Sequence, residues 1–267
     1  MNQSERRLYL IRSLLSEEQK YGGIGIPTDS DGQRRLLRAL MNVRPPRPIS
    51  DGFLRVQDEY LRAVIRGRGM TELRGLEPVR GGIYLWQGDI TALRCDAIVN
   101  AANSALLGCF CPGHGCVDNA IHSYAGVQLR LACAELMEAQ GHPEPTGRAK
   151  LTPAFNLPCR YVLHTVGPIV TGAVTARDRR LLGDCYRSCL ELAAENGLES
   201  VAFCCISTGE FRFPAEAAAR IAVQTVTDFL RGESSVERVI FNVFTDRDRE
   251  IYARLLGAGG ASATCAR

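Results

Sequence analysis

Short apolar segments alternate with helix-compatible stretches from residue 82 to residue 256. Continuous apolar strands between helices are typical of a sheet buried on both faces, so this region predicts a layered α/β sandwich. The ligands of such sheets usually bind where strand ends meet helix starts. The predicted strands are 83–86, 97–100, 161–166, 200–206 and 236–244, and the predicted helices are 117–140, 177–196, 214–231 and 246–256.

Residues 1–78 lack this alternation of apolar strands and helices and predict a helical extension. Helices are expected at about 3–20, 33–43 and 51–67, separated by glycine and proline turns. Ser50 is a candidate N-cap for the third helix. The extension either packs on the main domain, 79–258, or covers its site. The small, polar segment 259–267 is expected to be a flexible tail.

Charge and cysteine content limit the possible functions. The net charge of +3 comes from dispersed basic residues and does not predict a nucleic-acid partner. The sequence lacks an apolar run of membrane-spanning length and a signal-peptide pattern, so we predict no membrane partner. Eleven cysteines, several in apolar runs, are expected to be reduced core residues of a cytoplasmic protein.

The loop after the 200–206 strand is a candidate anion site. It consists of Ser207, Thr208, Gly209, Glu210 and Phe211 and precedes a helix that starts near Pro214. Backbone N–H groups in such a turn, together with the helix dipole, attract phosphate. The pattern by itself fits a simple strand-to-helix turn equally well.

A second loop concentrates soft metal ligands. Three cysteines and a histidine lie within eight residues, at Cys109, Cys111, His114 and Cys116. Thiolates and imidazole are typical zinc ligands, although a disulfide pair is an alternative. Four ligands would make a closed, structural site. Three ligands would leave a position for water or a substrate hydroxyl, where zinc acts as a Lewis acid. The residues alone do not decide between the two.

Asp118 and His122 follow directly on one face of the predicted helix at 117–140. Asp118 is interpreted either as a carboxylate that favours the helix N-terminus or as a general base beside the metal. His122 is expected to be a packed or hydrogen-bonded helix residue.

Together these segments resemble the macrodomain family over about residues 80–258. The resemblance rests on the order, spacing and strand–helix context of four segments, which are 88–91, 97–103, 117–122 and 207–214. It implies a three-layer α-β-α sandwich with a mixed sheet and a cleft that binds ADP-ribose.

The resemblance also implies residue roles. Asp89 is expected to accept the adenine amino group, with Ile90 beside it, and Asn103 to bind the distal ribose. Asn100 is expected to support that loop. Phe244 is expected either at the wall near the adenine or in the core. The remaining ADP-ribose contacts are expected from two segments, Cys116, Val117 and Asp118 in one and Ser207, Thr208, Gly209, Glu210 and Phe211 in the other.

One departure points to a branch of the family. Common macrodomains carry a glycine run where this chain has its cysteines and histidine, as in the zinc-dependent microbial branch. The resemblance assigns Cys109, His114 and Cys116 as ligands of Zn²⁺ and leaves Cys111 unmatched.

That branch implies a protein mono-ADP-ribosylhydrolase, with Asp118 and Asn103 as catalytic residues. Its substrate would be a mono-ADP-ribosylated protein, with the nucleotide esterified to Asp or Glu. A sirtuin-like ADP-ribosyltransferase system is an implied partner. Two alternatives stay open: a module that binds ADP-ribose without cleaving it, and a deacylase of O-acyl-ADP-ribose.

Overall fold

The structure is a computed structural model, and it describes residues 1–257. The predicted tail at 259–267 lies outside the described residues. The predicted α/β sandwich with an N-terminal helical region is confirmed.

The extension forms three helices, which are α1 (Gln3–Ser16), α2 (Ser30–Val43) and α3 (Asp51–Arg68). The first helix ends four residues earlier than predicted, because the backbone becomes extended at Glu18, just after Glu17, whose carboxylate accepts hydrogen bonds from Arg44 and Arg47. The second starts three residues earlier, because the Asp29 carboxylate accepts the Gly32 N–H and caps it. Ser50 caps the third helix, as predicted.

The main sheet has six strands within the described residues, in the order β2-β8-β7-β4-β6-β5. Its strands are β2 (Ile83–Gln87), β4 (Ala97–Ala102), β5 (Ala149–Pro153), β6 (Tyr161–Val166), β7 (Ser200–Phe203) and β8 (Arg238–Val243). All neighbouring pairs are parallel except β5, which runs antiparallel to β6 and makes the sheet mixed. The strand β5 was not predicted, because its Lys150, Thr152 and Pro153 interrupt the apolar pattern.

Two short strands, β1 (Thr71–Glu72) and β3 (Leu93–Arg94), pair with each other outside the main sheet. Leu73 belongs to the main core. The chain therefore joins the main body structurally before residue 78, and the predicted domain boundary between 78 and 79 stays a prediction.

Helices cover the sheet: α4 (Val117–Ala125) and α5 (Val127–Gln140) follow β4, while α6 (Ala176–Glu195), α7 (Ala215–Phe229) and α8 (Asp246–Leu256) pack in sequence against one another. The prediction of one helix over 117–140 was wrong. Gly126 has a φ of 100° and a ψ of 174°, an extended positive-φ conformation that is open almost only to glycine and that breaks the helix in two.

Two hydrophobic cores hold the molecule together. The larger one lies between the sheet and its helices. The smaller one joins α1, α2 and α3 and includes Val127 at the start of α5. The extension therefore packs on the α4–α5 side of the sandwich rather than standing apart from it.

Among residues 1–257, all ten cysteines are free and five are buried, as the sequence predicts for core thiols. The same residues contain no helix that is long and apolar enough to cross a bilayer.

Candidate active site

Three loops at the carboxyl ends of the parallel strands carry the predicted site. Residues 103–116 connect β4 to α4, residues 204–214 connect β7 to α7, and Gly88 and Asp89 follow β2. The carboxyl ends of parallel strands meet at one edge of the sheet, which brings residues from distant parts of the chain together.

The ligand atoms of Cys109, His114 and Cys116 lie within 4.8 Å of one another, and the three side chains are half-buried. The His114 Nε2 atom is 3.6 Å from Glu210 Oε1 in the 204–214 loop. The His114 Nδ1 atom is buried and has no hydrogen-bond partner in the described part of the chain. The predicted metal loop and the predicted phosphate loop therefore face each other.

This arrangement fits a zinc ion. Zinc bonds of about 2.3 Å to sulfur and about 2.0 Å to nitrogen need ligand atoms that lie a few ångströms apart. Burial raises the pKa of the Cys116 thiol to about 12. A bound cation would reverse that shift, because it stabilises the thiolate. Cys111 is exposed and lies outside the three-residue group.

Asp118 is buried in the first turn of α4, which Cys116 caps through its sulfur. Burial raises the pKa of the Asp118 carboxyl to about 6, although the hydrogen bond from Asn100 and the charge of Arg130 oppose the shift. Asn100 Nδ2 lies 2.8 Å from Asp118 Oδ1. A buried carboxyl with a pKa near neutrality can give and take a proton, which suits general acid–base chemistry.

His122 packs one turn further along α4, as predicted, with its Nε2 atom 3.5 Å from Asp118 Oδ1. It belongs to a second group of buried candidate ligands with Cys133 and His164. Asn100 Nδ2 donates to His164 Nδ1, which leaves the proton on Nε2, 2.9 Å from the Thr152 hydroxyl. A protonated nitrogen is a poor metal ligand, so we interpret His164 as part of a hydrogen-bonded core network, whereas neither ring nitrogen of His122 has a hydrogen-bond partner among the described residues.

Asn103 stabilises its own loop. Its Nδ2 donates to the Gly108 carbonyl at 3.1 Å, and its Oδ1 accepts from Ala105 N at 3.0 Å. One N–H and one lone pair of the amide remain for other partners. These are the groups that a contact to neighbouring ribose hydroxyls requires.

The 204–214 loop presents a run of free amides. In the described residues, the N–H groups of Gly209, Glu210 and Phe211 donate to no protein acceptor. Ser207 has a φ of 65° and is 6% exposed, with no hydrogen-bond partner for its hydroxyl in the described chain. The Thr208 hydroxyl donates a hydrogen bond to the Cys205 carbonyl. Successive free amides ahead of a helix form a cradle of the kind that binds phosphate.

Asp89 lies just after β2, the outermost strand on one side of the main sheet, and its carboxylate accepts hydrogen bonds from Thr91 and Arg68. Burial disfavours its charge, but the bonds from Thr91 and Arg68 outweigh burial and hold the pKa of Asp89 below its usual value. Ionised, the carboxylate can accept from an exocyclic amine. Arg68 comes from the end of α3, with its guanidinium 4.3 Å from the centroid of the Tyr124 ring.

The remaining predicted contacts differ in exposure. Ile90 is 4% exposed and its side chain lies in the main core, which leaves its backbone to meet a ligand. Val117 is half-buried against that core. Phe244 is 76% exposed, so the core alternative was wrong and a wall position agrees with its placement just after β8.

The contacts that the extension makes to the site were not predicted from the sequence. Arg38 and Asn42 of α2 contact the metal loop, and Arg68 of α3 contacts Asp89. They lie in ordinary amphipathic helices, where a polar residue facing the main body has no local signature. The role of Gly167 was not predicted either. Its lack of a side chain leaves room for Ser207.

Comparisons with known proteins identify relatives of this chain. The chain is 58% identical over 260 residues to a protein from Treponema medium named Protein-ADP-ribose hydrolase, which covers 96% of this chain and 100% of the relative. A Staphylococcus aureus protein of the same name is 48% identical over 91% of this chain and 92% of its own length.

A solved structure is also similar. The Trypanosoma brucei macrodomain in complex with ADP-ribose matches with a TM-score of 0.64 and 33% identity, over 82% of this chain and 95% of its own. A sequence profile of the Macro domain matches residues 99–222, which include the metal loop, Asp118 and the 204–214 loop. The near-complete match to these relatives, together with the matching family model and fold, shows that the chain belongs to the macrodomain family.

Proposed function

We propose that this protein is a zinc-dependent hydrolase that removes mono-ADP-ribose from proteins modified on Asp or Glu. The observation that carries the proposal is the convergence of Cys109, His114 and Cys116 beside the buried Asp118, opposite the free amides of residues 209–211. The names of the relatives and the ADP-ribose complex of a structural neighbour support it.

In the proposed reaction the chain's own residues bind and align the nucleotide. The amides of 209–211 hold the phosphates, and Asp89 and Phe244 hold the adenine end. This binding, far from the reacting bond, fixes the distal ribose in place. Cys109, His114 and Cys116 would hold the zinc ion, which would supply a Lewis acid to the reaction.

Asp118 is proposed to orient a water molecule and take its proton, with Asn100 holding the carboxylate in position. Overall, one water is consumed, the ester bond breaks, and the products are free ADP-ribose and the carboxylic acid of the target protein. An ester is the favoured linkage, because a carboxylate is a good leaving group. An ADP-ribosyltransferase must supply the substrate, and the proposal includes a sirtuin-like one.

The first test measures release of ADP-ribose from a protein that is mono-ADP-ribosylated on Asp or Glu. The wild-type protein is assayed as purified, after chelation and after zinc is restored. Chelation should abolish release and zinc should restore it. Asp118→Asn should lower the rate by about 10²–10⁴-fold, with ADP-ribose affinity preserved, because general acid–base catalysis contributes on that scale. Asp51→Asn, at the exposed start of α3, is the matched control.

Three outcomes would count against the proposal. Native rates from both the chelated protein and Asp118→Asn would exclude the metal and the proposed base. Tight ADP-ribose binding without turnover on any linkage would identify a binding module. Faster cleavage of free O-acyl-ADP-ribose than of the modified protein would identify a deacylase.

A further inference from the structure

Helix α2 of the extension contacts the loop that carries the three predicted zinc ligands. Asn42, which is 1% exposed, accepts the Gly113 N–H on its Oδ1 atom at 2.9 Å. Its Nδ2 atom donates to the Ser123 hydroxyl on α4, also at 2.9 Å. The buried Asn42 side chain of α2 therefore forms hydrogen bonds with both the metal loop and α4.

Arg38 contacts the same loop one residue further along. Its Nη2 atom donates to the His114 carbonyl at 3.1 Å and to Asn119 Oδ1 at 2.7 Å. Arg38 and Asn42 are four residues apart, so they project from the same face of α2. The extension thus holds two peptide groups of the metal loop, the one that precedes Gly113 and the one that follows His114.

Asn119 completes the link from within the main domain. It is fully buried, and its Nδ2 atom donates to the Cys111 carbonyl at 3.0 Å. Its Oδ1 atom accepts from Arg38, and its backbone N–H donates to the sulfur of Cys116. Arg38 and Asn42 therefore contact the backbone beside His114 directly. Arg38 also contacts Asn119, whose N–H donates to the sulfur of Cys116.

We propose that the N-terminal extension positions the zinc ligands, with Arg38 and Asn42 as the positioning residues. The inference rests on the proposed function, since it assumes that Cys109, His114 and Cys116 bind zinc. It assigns a role to residues 1–78 that sequence analysis left open between packing on the domain and covering the site.

The physical reason is preorganisation. Gly113 has a φ of 66° and precedes His114 in a turn that contains a proline and two glycines. Such a turn has many accessible conformations when free, and ordering it costs backbone conformational entropy. Hydrogen bonds from α2 order the loop during folding, so the metal does not have to. Loss of such supporting contacts typically weakens metal binding by about 10–100-fold.

The test measures zinc affinity of the full chain by competition with a chromophoric chelator. Arg38→Ala and Asn42→Ala should each bind zinc about 10–100-fold more weakly than wild type. Arg35→Ala is the matched control, because Arg35 is exposed on the same helix and should leave the affinity unchanged. Asn42 is fully buried, so the partly exposed Arg38 provides a variant that folds even if Asn42→Ala does not.

A spectroscopic measurement separates positioning from general stability. Co²⁺ reports its ligand geometry in the visible spectrum, and the spectra of the variants should differ from that of wild type at saturating metal. Wild-type affinity and spectrum in a folded Arg38→Ala would overturn the inference and leave the proposed function standing. Absence of zinc binding by the wild type itself would overturn both.

Discussion

At the scale of single residues, the phosphate loop depends on a neighbouring residue without a side chain. A Cβ placed on Gly167 would lie 2.0 Å from the Ser207 hydroxyl oxygen and 2.9 Å from a methyl of Ile206. Both distances are well below van der Waals contact. The same Cβ would lie 3.3 Å from the Cβ of Ser207, so rotation of the hydroxyl alone would not relieve the crowding.

We therefore predict that Gly167→Ala displaces Ser207 and distorts the amides that follow it. The variant should bind ADP-ribose about tenfold more weakly or worse, and it should lose about 1–3 kcal/mol of unfolding free energy through overpacking. Calorimetric titration with ADP-ribose and chemical denaturation measure the two effects.

Gly172→Ala is the matched control for this substitution. It lies in the same connection between β6 and α6, and a Cβ there would meet no atom within 4 Å. Equal ADP-ribose affinity in the two variants would show that the packing of Gly167 against Ser207 is unimportant for binding.

At the scale of elements, a buried hydrogen-bond network joins three strands of the main sheet. Asn100 on β4 contacts His164 on β6, which in turn contacts Thr152 on β5. His164 is fully buried, and burial lowers its pKa to about 3. The folded protein therefore keeps this imidazole neutral, whereas the unfolded chain protonates it below its usual pKa of about 6.5.

This difference makes the stability dependent on pH. The contribution of His164 is fully present above about pH 6.5 and is lost as pH falls toward 3, because protons bind the unfolded chain. Between pH 7 and pH 5 the loss should be about 2 kcal/mol. Burial also lowers the pKa of His122, which further lowers the free energy of unfolding as pH falls.

Urea unfolding at both pH values measures the effect, and His164→Gln should remove about 2 kcal/mol of the difference. His142→Gln, at an exposed position, is the control and should keep the wild-type dependence on pH. The same pH dependence in His164→Gln and wild type would contradict the assignment of a neutral, buried His164.

At the scale of the whole molecule, the metal loop is the junction between the extension and the sandwich. It follows β4, leads into α4 and is held by α2. A ligand that binds the folded chain and not the unfolded one stabilises the entire structure by mass action, by about 2.7 kcal/mol at a hundredfold excess over Kd.

Chelation should therefore lower the Tm of the full chain by about 5–10 °C, with recovery when zinc is added back. Differential scanning calorimetry measures this shift. Cys109→Ser and Cys116→Ser should lose most of it, whereas Cys111→Ser should keep it, because Cys111 is exposed and outside the ligand group. A Cys111→Ser variant that loses the shift would indicate four ligands and a closed site.

The sequence by itself determined the class of fold and the local content of the site. Apolar strands such as β4 and β8 are readable because each buried face needs a continuous apolar run. Helix starts are readable where a cap is local, as at Ser50. The cysteine–histidine loop stands out because its residue types are dense and chemically specific. These are short-range properties, so one segment contains the whole signal.

The tertiary structure alone decided which distant residues meet. It placed Phe244 outside the core and β5 beside β6. It also brought Arg38 and Asn42 to the metal loop, more than 70 residues away along the chain. Such contacts depend on how helices and strands pack, and packing is a property of the assembled core. The sequence of an isolated segment contains no record of the surface that will cover it.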